Sequence, residues 1–399
     1  MTRVLLMHER YRERGGEDRV FEQEVALLRS FGVDVITDVS DNRDIDGEGD
    51  LALALRALWS PSSYRRVRRL LRGSDVDILH VHNSFPLLSP SVYDAAGTEG
   101  VPVVQTLHNF RPLCPNALLM RDGRPCEDCL PRRIKWPAVL HACYRDSRRA
   151  SAAVAAMSGM HHLLGTWRTK VDRFIALCHF SRDRFIAGGL PADRVTVKPA
   201  GCPDPGPRAA DWNRARSGAL FVGRLSIEKG LAPLLAAWSG LDRRETSLTV
   251  IGEGPLAPDG VQGLASDAGA PVRFTGRLAP DIVSEAMAGA RMLAVPSLCY
   301  ENAPLAAIEA FAHGLPVLAS DLGAMREIVT PEVTGLLVRP GDVGHWRASL
   351  DRMLADPDLC RRMGEAARRD WENRYAPRAL FAAQMEIYRD IQEARPRCR

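Results

Sequence analysis

The sequence has no run of about 18 apolar residues of the kind that crosses a bilayer. Its first apolar stretch, Val4 to Met7, stops at His8-Glu9-Arg10. That stretch is too short for a signal-peptide core, so a cytoplasmic protein without a membrane span is expected. Excess charge of one sign is also missing. The 53 Lys and Arg against 49 Asp and Glu leave a formal +4, too little for a general polyanion binder, so no nucleic-acid partner is expected. There is no internal repeat and no low-complexity tract. Nine cysteines, an odd number spread over 399 residues, argue against a secreted disulfide framework. What is present, 46% hydrophobic and 26% charged residues with 32 Gly and 27 Pro, is the usage of a folded protein of two or three domains.

Strand and helix patterns alternate along the chain. Val4–Met7 reads as a buried strand, followed by the turn Arg14-Gly15-Gly16-Glu17 and an amphipathic helix carrying Val20, Phe21, Val25, Leu27 and Leu28. Further strands are expected at Val33–Thr37, Val76–Val81, Val101–Leu107 and Phe174–Cys178. The segment Pro199 to Pro207, with four prolines and two glycines in nine residues, cannot continue a helix or a central strand and reads as a linker. The alternation then resumes, with strands at Ala219–Val222, Ser247–Ile251, Val272–Thr275, Met292–Val295, Pro316–Ala319 and Gly335–Val338. Beyond Pro357 the chain reads as helical, with Trp371, Tyr375, Leu380, Phe381, Met385 and Tyr388 as apolar anchors. This is an α/β protein of two Rossmann-like, doubly wound parallel-sheet domains facing across a cleft. The expected division is residues 1–205, residues 206–375, and a helix over 376–399 that packs back on the first domain.

Several segments carry chemistry. Phe221 to Gly230 is a strand that stops at Gly223 and sets Arg224 and Lys229 ahead of a helix. A planar guanidinium, a compact ammonium and a helix start suit a diphosphate, although a solvated surface pair would read the same way. In Pro296 to Ala310, Asn302 reads as an N-cap and Pro304 as a first-turn residue. Glu301 would then lie in the loop and Glu309 inside the helix, where a nearly buried carboxylate needs a polar partner such as a ribose diol. A helix-cap Glu and a structurally paired Glu form the alternative.

Together Gly223 to Gly230, Val250 to Pro255, Glu301-x7-Glu309 and Gly314 to Glu327, in that order, resemble retaining glycosyltransferases of family 4, which have the two-domain GT-B fold. Gly15-Gly16 and Thr106-Leu107-His108-Asn109 extend the likeness to the first half. The resemblance implies a nucleoside-diphosphate sugar as donor and a carbohydrate or lipid-linked hydroxyl as acceptor, in polysaccharide or glycolipid synthesis. It implies Arg224 and Lys229 on the diphosphate, Glu309 on ribose, and Glu301 with Asn302, Ala303, Pro304 and Leu305 around the donor. Gly15 and Gly16 would approach the diphosphate, unless they are an ordinary turn, and His108 would line the sugar, unless it is a core histidine. His82 and Asn83 are acceptor-side candidates. No catalytic cofactor and no Asp-x-Asp metal site is assigned. Asn302-Ala303 departs from the Gly-apolar pair frequent in the family, which leaves the transferred sugar open.

Two features fall outside this scheme. Cys114-x11-Cys126-x2-Cys129-x13-Cys143, in an insertion over about 112–145, suits a structural tetrahedral zinc, with four unrelated thiols as the alternative. Cys178, Cys202, Cys299, Cys360 and Cys398 read as incidental. Arg65 to Arg72 holds five arginines in eight residues, with Leu55 and Trp59 upstream, and would suit peripheral contact with an anionic inner leaflet or a solvated face. Two rival functions share the architecture: a sugar-nucleotide 2-epimerase and a non-catalytic sugar-nucleotide-binding scaffold.

Overall fold

The computed structural model of the chain describes residues 2–45, 49–212, 215–256 and 270–394, so Cys398 lies outside the described residues. The chain forms two compact units. The first comprises Met1–Leu119, Cys126–Ala200 and Arg378–Arg399, and the second Met120–Pro125 and Gly201–Pro377.

The first unit contains β1 (Arg3–Arg10), β2 (Asp34–Asp41), β3 (Ile78–Val81) and β4 (Val103–Leu107). A two-residue hairpin, β5 (Met120–Arg121) and β6 (Arg124–Pro125), is grouped with the second unit, and β7 (Arg173–Ala176) and β8 (Val195–Val197) complete the first. The six sheet strands run parallel in the order β2-β1-β3-β4-β7-β8. Helices on both faces explain why Val4 to Met7 is an unbroken apolar run, each residue 0% exposed. The helix Gly16–Ser30 lays Val20, Phe21, Val25 and Leu28 on this sheet. The last helix, Pro377–Ala394, belongs to the same unit and adds Ile387, Tyr388 and Ile391 to its core. Strand β8 escapes sequence reading because three residues are too few to show a period.

The second unit holds β9 (Ser217–Val222), β10 (Leu248–Ile251), β11 (Val272–Gly276), β12 (Ala290–Val295), β13 (Val317–Ser320) and β14 (Gly335–Val338). They are parallel in the order β11-β10-β9-β12-β13-β14. Counted within the unit, this is the strand order 3-2-1-4-5-6 of a dinucleotide-binding sheet, with its reversal between β9 and β12. Alternate side chains serve two cores. Phe221, Val250, Met292 and Leu318 join Trp238 and Trp346 on one face, while Leu220, Ile251, Leu293 and Val317 join Phe311 and Trp371 on the other.

Glycines let the strand ends converge. Gly252 has φ +145°, and a Cβ there would lie 1.8 Å from the Gly223 carbonyl oxygen. The turns after β9 and β10 therefore meet backbone to backbone, and Leu225 N–H donates to the Glu253 carbonyl at 2.9 Å.

Candidate functional site

In the second unit, the loops after β9 and β12 meet at the point where strand order reverses. Gly230 (φ +68°) makes this contact possible, because a Cβ would sit 1.9 Å from the Pro296 carbonyl oxygen. Leu298 N–H donates to the Glu228 carbonyl at 2.8 Å across the same junction. Glu301, 9% exposed, receives the Lys229 Nζ at 2.6 Å and the Ser297 hydroxyl at 2.6 Å, both on Oε1. Burial alone would raise its pKa, but the Lys229 ammonium and these two hydrogen bonds hold it below the ordinary carboxylate value. The same pairing raises Lys229 against the effect of burial. The Lys229 side chain keeps 30% exposure, and Arg224 stands exposed in the turn after β9. Cys299, adjacent to this pair, is pushed up to about 12 by burial and by Glu301, which makes it a poor nucleophile.

Two local expectations are corrected. Asn302 is not the N-cap: the helix spans Leu305–Ala312, and the Pro304 carbonyl receives its first bonds, from Ala307 and Ile308 N–H. Proline disfavours helical backbone at the residue before it, so the helix waits until Pro304 has passed. Likewise, Pro304 is not inside the first turn but is itself the N-cap. Lys229 closes a 3-10 turn, Ile227–Lys229, and stands ahead of the helix Leu231–Ser239, which begins after Gly230. Glu309 lies inside its helix, 6% exposed.

The first unit gathers its polar residues at the carboxyl ends of β1, β3 and β4. Gly15 precedes the helix Gly16–Ser30, and its N–H donates to Asp18 at 2.8 Å. At φ −123° its backbone is ordinary, and a Cβ there would meet nothing within 4 Å, so Gly15 leaves open space rather than relieving strain. Asn109 Nδ2 donates to Glu17 Oε1 at 2.7 Å, tying the loop after β4 to the start of this helix.

A pocket of about 710 Å³, counted to its open mouth, is lined by His82, Asn83, Gln105, His108, Asn109 and Arg111, with Phe85, Tyr93 and Trp167 among its walls. Sequence reading placed His82, Asn83 and His108 but missed Gln105, Arg111 and the aromatic residues. They lie on separate elements, and no spacing connects them. Also missed was Glu9, which is 0% exposed. Its carboxylate receives Leu87 N–H at 2.8 Å and Leu88 N–H at 3.0 Å, and its carbonyl receives Asn83 Nδ2 at 2.8 Å, so it holds the loop on one side of the pocket.

The Arg65–Arg72 segment lies on the helix Pro61–Gly73, where Arg66 pairs with Asp38 and both Arg68 and Arg72 pair with Glu99. Cys114 and Cys129 are buried, Cys126 and Cys143 are partly so, and none of the four is in a disulfide. Burial and the neighbouring thiols raise Cys114 to about 11 and raise Cys129 as well. Among the described residues, donor atoms lie within 4.8 Å of one another in the trio Glu24, His80 and His82, and the cysteines form no such group.

The family described as Glycosyltransferase Family 4 matches residues 14–203, and that described as Glycosyl transferases group 1 matches residues 216–356. The chain is 36% identical over 217 residues to a D-inositol 3-phosphate glycosyltransferase of Nocardia farcinica, an alignment covering 49% of this chain and 48% of that protein. It is 27% identical over 345 residues to the phosphatidyl-myo-inositol mannosyltransferase of Mycolicibacterium smegmatis, covering 85% of this chain and 78% of that one. Among solved structures, Anabaena HepE in complex with UDP superposes with a TM-score of 0.66 at 16% identity, covering 98% of this chain and 100% of that one.

Burial raises the Glu9 carboxyl to about 7, against the partial relief given by the Leu88 and Leu87 N–H groups. Between its ordinary value near 4.5 and 7 the unfolded chain has released this proton while the folded chain retains it. Stability should therefore fall as pH rises through that window, by up to about 3 kcal/mol, and then level off. Urea melts at pH 5 and pH 8 should show this fall, and Glu9→Gln should flatten it. An equal fall in the variant would contradict the assignment.

Proposed function

We propose that the chain, whose two parts match the two glycosyltransferase family models and whose fold is that of GT-B enzymes, moves a sugar, with retention, from a nucleoside diphosphate to an acceptor hydroxyl in glycan or glycolipid synthesis. The observation that carries this reading is the Lys229–Glu301–Ser297 cluster at the strand-order reversal of the second unit, where doubly wound sheets take nucleotides. Lys229 and Arg224 take the charge that develops on the departing diphosphate, without a metal. Glu301, kept ionised by Lys229, faces the oxocarbenium-like sugar, with Asn302, Ala303, Pro304 and Leu305 around it. Glu309 binds the ribose diol. Gly15 leaves open space ahead of the first helix of the first unit, which starts at Gly16, and His108 contacts a sugar hydroxyl in the pocket of that unit. The pocket of the first unit takes the acceptor, with its aromatic walls against sugar or lipid carbon and Asn83, Gln105 and Arg111 supplying hydrogen bonds. Retention follows same-face attack guided by the leaving group. The relatives are named as transferases, which favours transfer over epimerisation or a scaffold role.

The purified protein should melt higher with one class among UDP-, GDP-, ADP- and TDP-sugars, since a ligand at 100 times its Kd adds about 2.7 kcal/mol. With that donor, Glu301→Gln should cut turnover roughly 10²–10³-fold at near-unchanged donor affinity. Full turnover in this variant would remove Glu301 from the reaction.

The four cysteines hold a structural zinc in this reading. Support comes from Lys135, 1% exposed, whose Nζ donates to the Cys129 carbonyl at 3.0 Å and lies in the field of Cys129 and Cys114. A tetrathiolate would give that buried ammonium a counter-charge, and the ion would draw together sulfurs that the fold has only gathered. Elemental analysis should find one zinc per chain, with Cys129→Ser losing it. Four titratable thiols in metal-free native protein would contradict the site.

Peripheral contact with an anionic leaflet would use Arg65 and Arg69, with Leu55 (58% exposed) and Trp59 (40%) upstream. Arg65→Glu/Arg69→Glu should lower co-sedimentation with vesicles containing phosphatidylglycerol. Equal binding to neutral vesicles by the unsubstituted protein would refute the electrostatic contact.

A further inference from the structure

Behind the pocket, the first unit buries a row of polar groups that the transfer scheme does not use. His82 Nδ1 and His108 Nε2 are 3.0 Å apart, and their rings stack at 5.0 Å between centroids. His82 Nε2 is buried without a hydrogen-bond partner and lies 3.8 Å from Glu24 Oε1, which is likewise buried and unsatisfied. The other carboxylate oxygen of Glu24 receives the Lys198 ammonium at 2.9 Å. His80 Nδ1 also lies near Glu24 Oε1, at 3.4 Å, but its hydrogen bond is the shorter one to the Tyr388 hydroxyl at 2.7 Å, and its Nε2 is 2.8 Å from the Thr106 hydroxyl, so Glu24 Oε1 is left without a hydrogen bond.

Two proton arrangements make the bond between His82 and His108. If His82 donates from Nδ1, its Nε2 is a bare lone pair facing a bare carboxylate oxygen, two buried acceptors with no donor between them. If His108 donates from Nε2, His82 carries its proton on Nε2, toward Glu24 Oε1. Burial depresses both imidazoles well below their ordinary value, so they are neutral and only one proton is shared. Although burial pushes the Glu24 carboxyl up, Lys198 and His80 outweigh it and keep the group ionised. An ionised Glu24 therefore selects the second arrangement, because an N–H on His82 Nε2 is attracted by the carboxylate oxygen 3.8 Å away whereas a lone pair there is repelled by it.

We propose that Glu24 and His82 are positioning residues that fix the tautomer of His108, with the proton on Nε2 and the lone pair on Nδ1. His108 then meets the substrate as an acceptor: it receives a hydrogen bond from a sugar hydroxyl and has no N–H left to donate. This rests on the reading of His108 as a substrate contact and narrows it to hydroxyl-bearing sugars at that position.

Glu24, His80 and His82 have the spacing of a three-ligand cation site. However, the Lys198 ammonium already neutralises Glu24, and the Tyr388 hydroxyl already occupies His80 Nδ1. A buried ammonium beside the carboxylate disfavours a second cation there.

The test is a nitrogen-15 spectrum of histidine-labelled full-length protein without substrate, with His108→Gln used to assign the resonances. His108 should show a protonated Nε2 and a bare Nδ1, and a protonated Nδ1 would overturn the proposal. The double substitution Glu24→Gln/Lys198→Met removes both charges together, so no lone buried charge is left to unfold the chain. It should mix the two tautomers and lower kcat roughly 10–100-fold while donor KM stays near its original value. An unchanged tautomer and unchanged kcat would refute the relay, as would one equivalent of metal in the purified protein that is lost in His80→Ala. Absence of any donor binding in the melting screen would instead count against the transferase reading, because the tautomer is read without substrate.

Discussion

The interaction on which the rest depends is the contact between Lys229 and the nearly buried carboxylate of Glu301, 2.6 Å apart. Neither group sits in its apolar surroundings cheaply, and a buried charge is tolerated only when paired and hydrogen-bonded. Pairing keeps Glu301 ionised and leaves Lys229 charged at the edge of the sheet. The geometry is inherited from the backbone: Gly230 lets one loop close on the other, and the parallel strands β9 and β12 bring both to the place where connections diverge. Gly323, at φ +57° against Tyr300, supports the same loop from the far side. The glycines of this half are thus spacing devices that let a cation and an anion share one site.

The first unit solves a comparable problem with neutral groups. Its pocket is floored by imidazoles that burial keeps uncharged, and Glu24 with Lys198 forms a buried ion pair beside them. Glu9 provides rigidity on the side of Leu87 and Leu88, and the Tyr388 contact makes the last helix part of this floor. A pocket whose hydrogen-bonding groups are already committed to one another presents fixed donors and acceptors to a ligand, which lowers the cost of ordering them on binding.

Much of this was legible in the sequence. Continuous apolar runs such as Val4 to Met7 and the alternation with helices specify parallel sheets, and the Pro-rich stretch near 200 marks the passage between units. Lys229 and Glu301 were legible because each follows a strand that the pattern locates. The start of the helix after Glu301 was misread, because Asn is a good cap in isolation while the constraint from Pro304 acts on its neighbour. Gln105, Arg111, Lys198 and Glu9 were not legible. Their meaning lies in contacts between residues far apart in the chain, such as Glu24 with Lys198, separated by 174 positions.

The most direct test compares calorimetric affinities of a nucleoside and of its diphosphate for the original protein and for Lys229→Met. The account predicts that the diphosphate binds at least tenfold more weakly to the variant, while the nucleoside, which lacks the charged groups, binds both alike. Equal diphosphate affinity for the two proteins would contradict the placement of the nucleotide at Lys229 and Glu301.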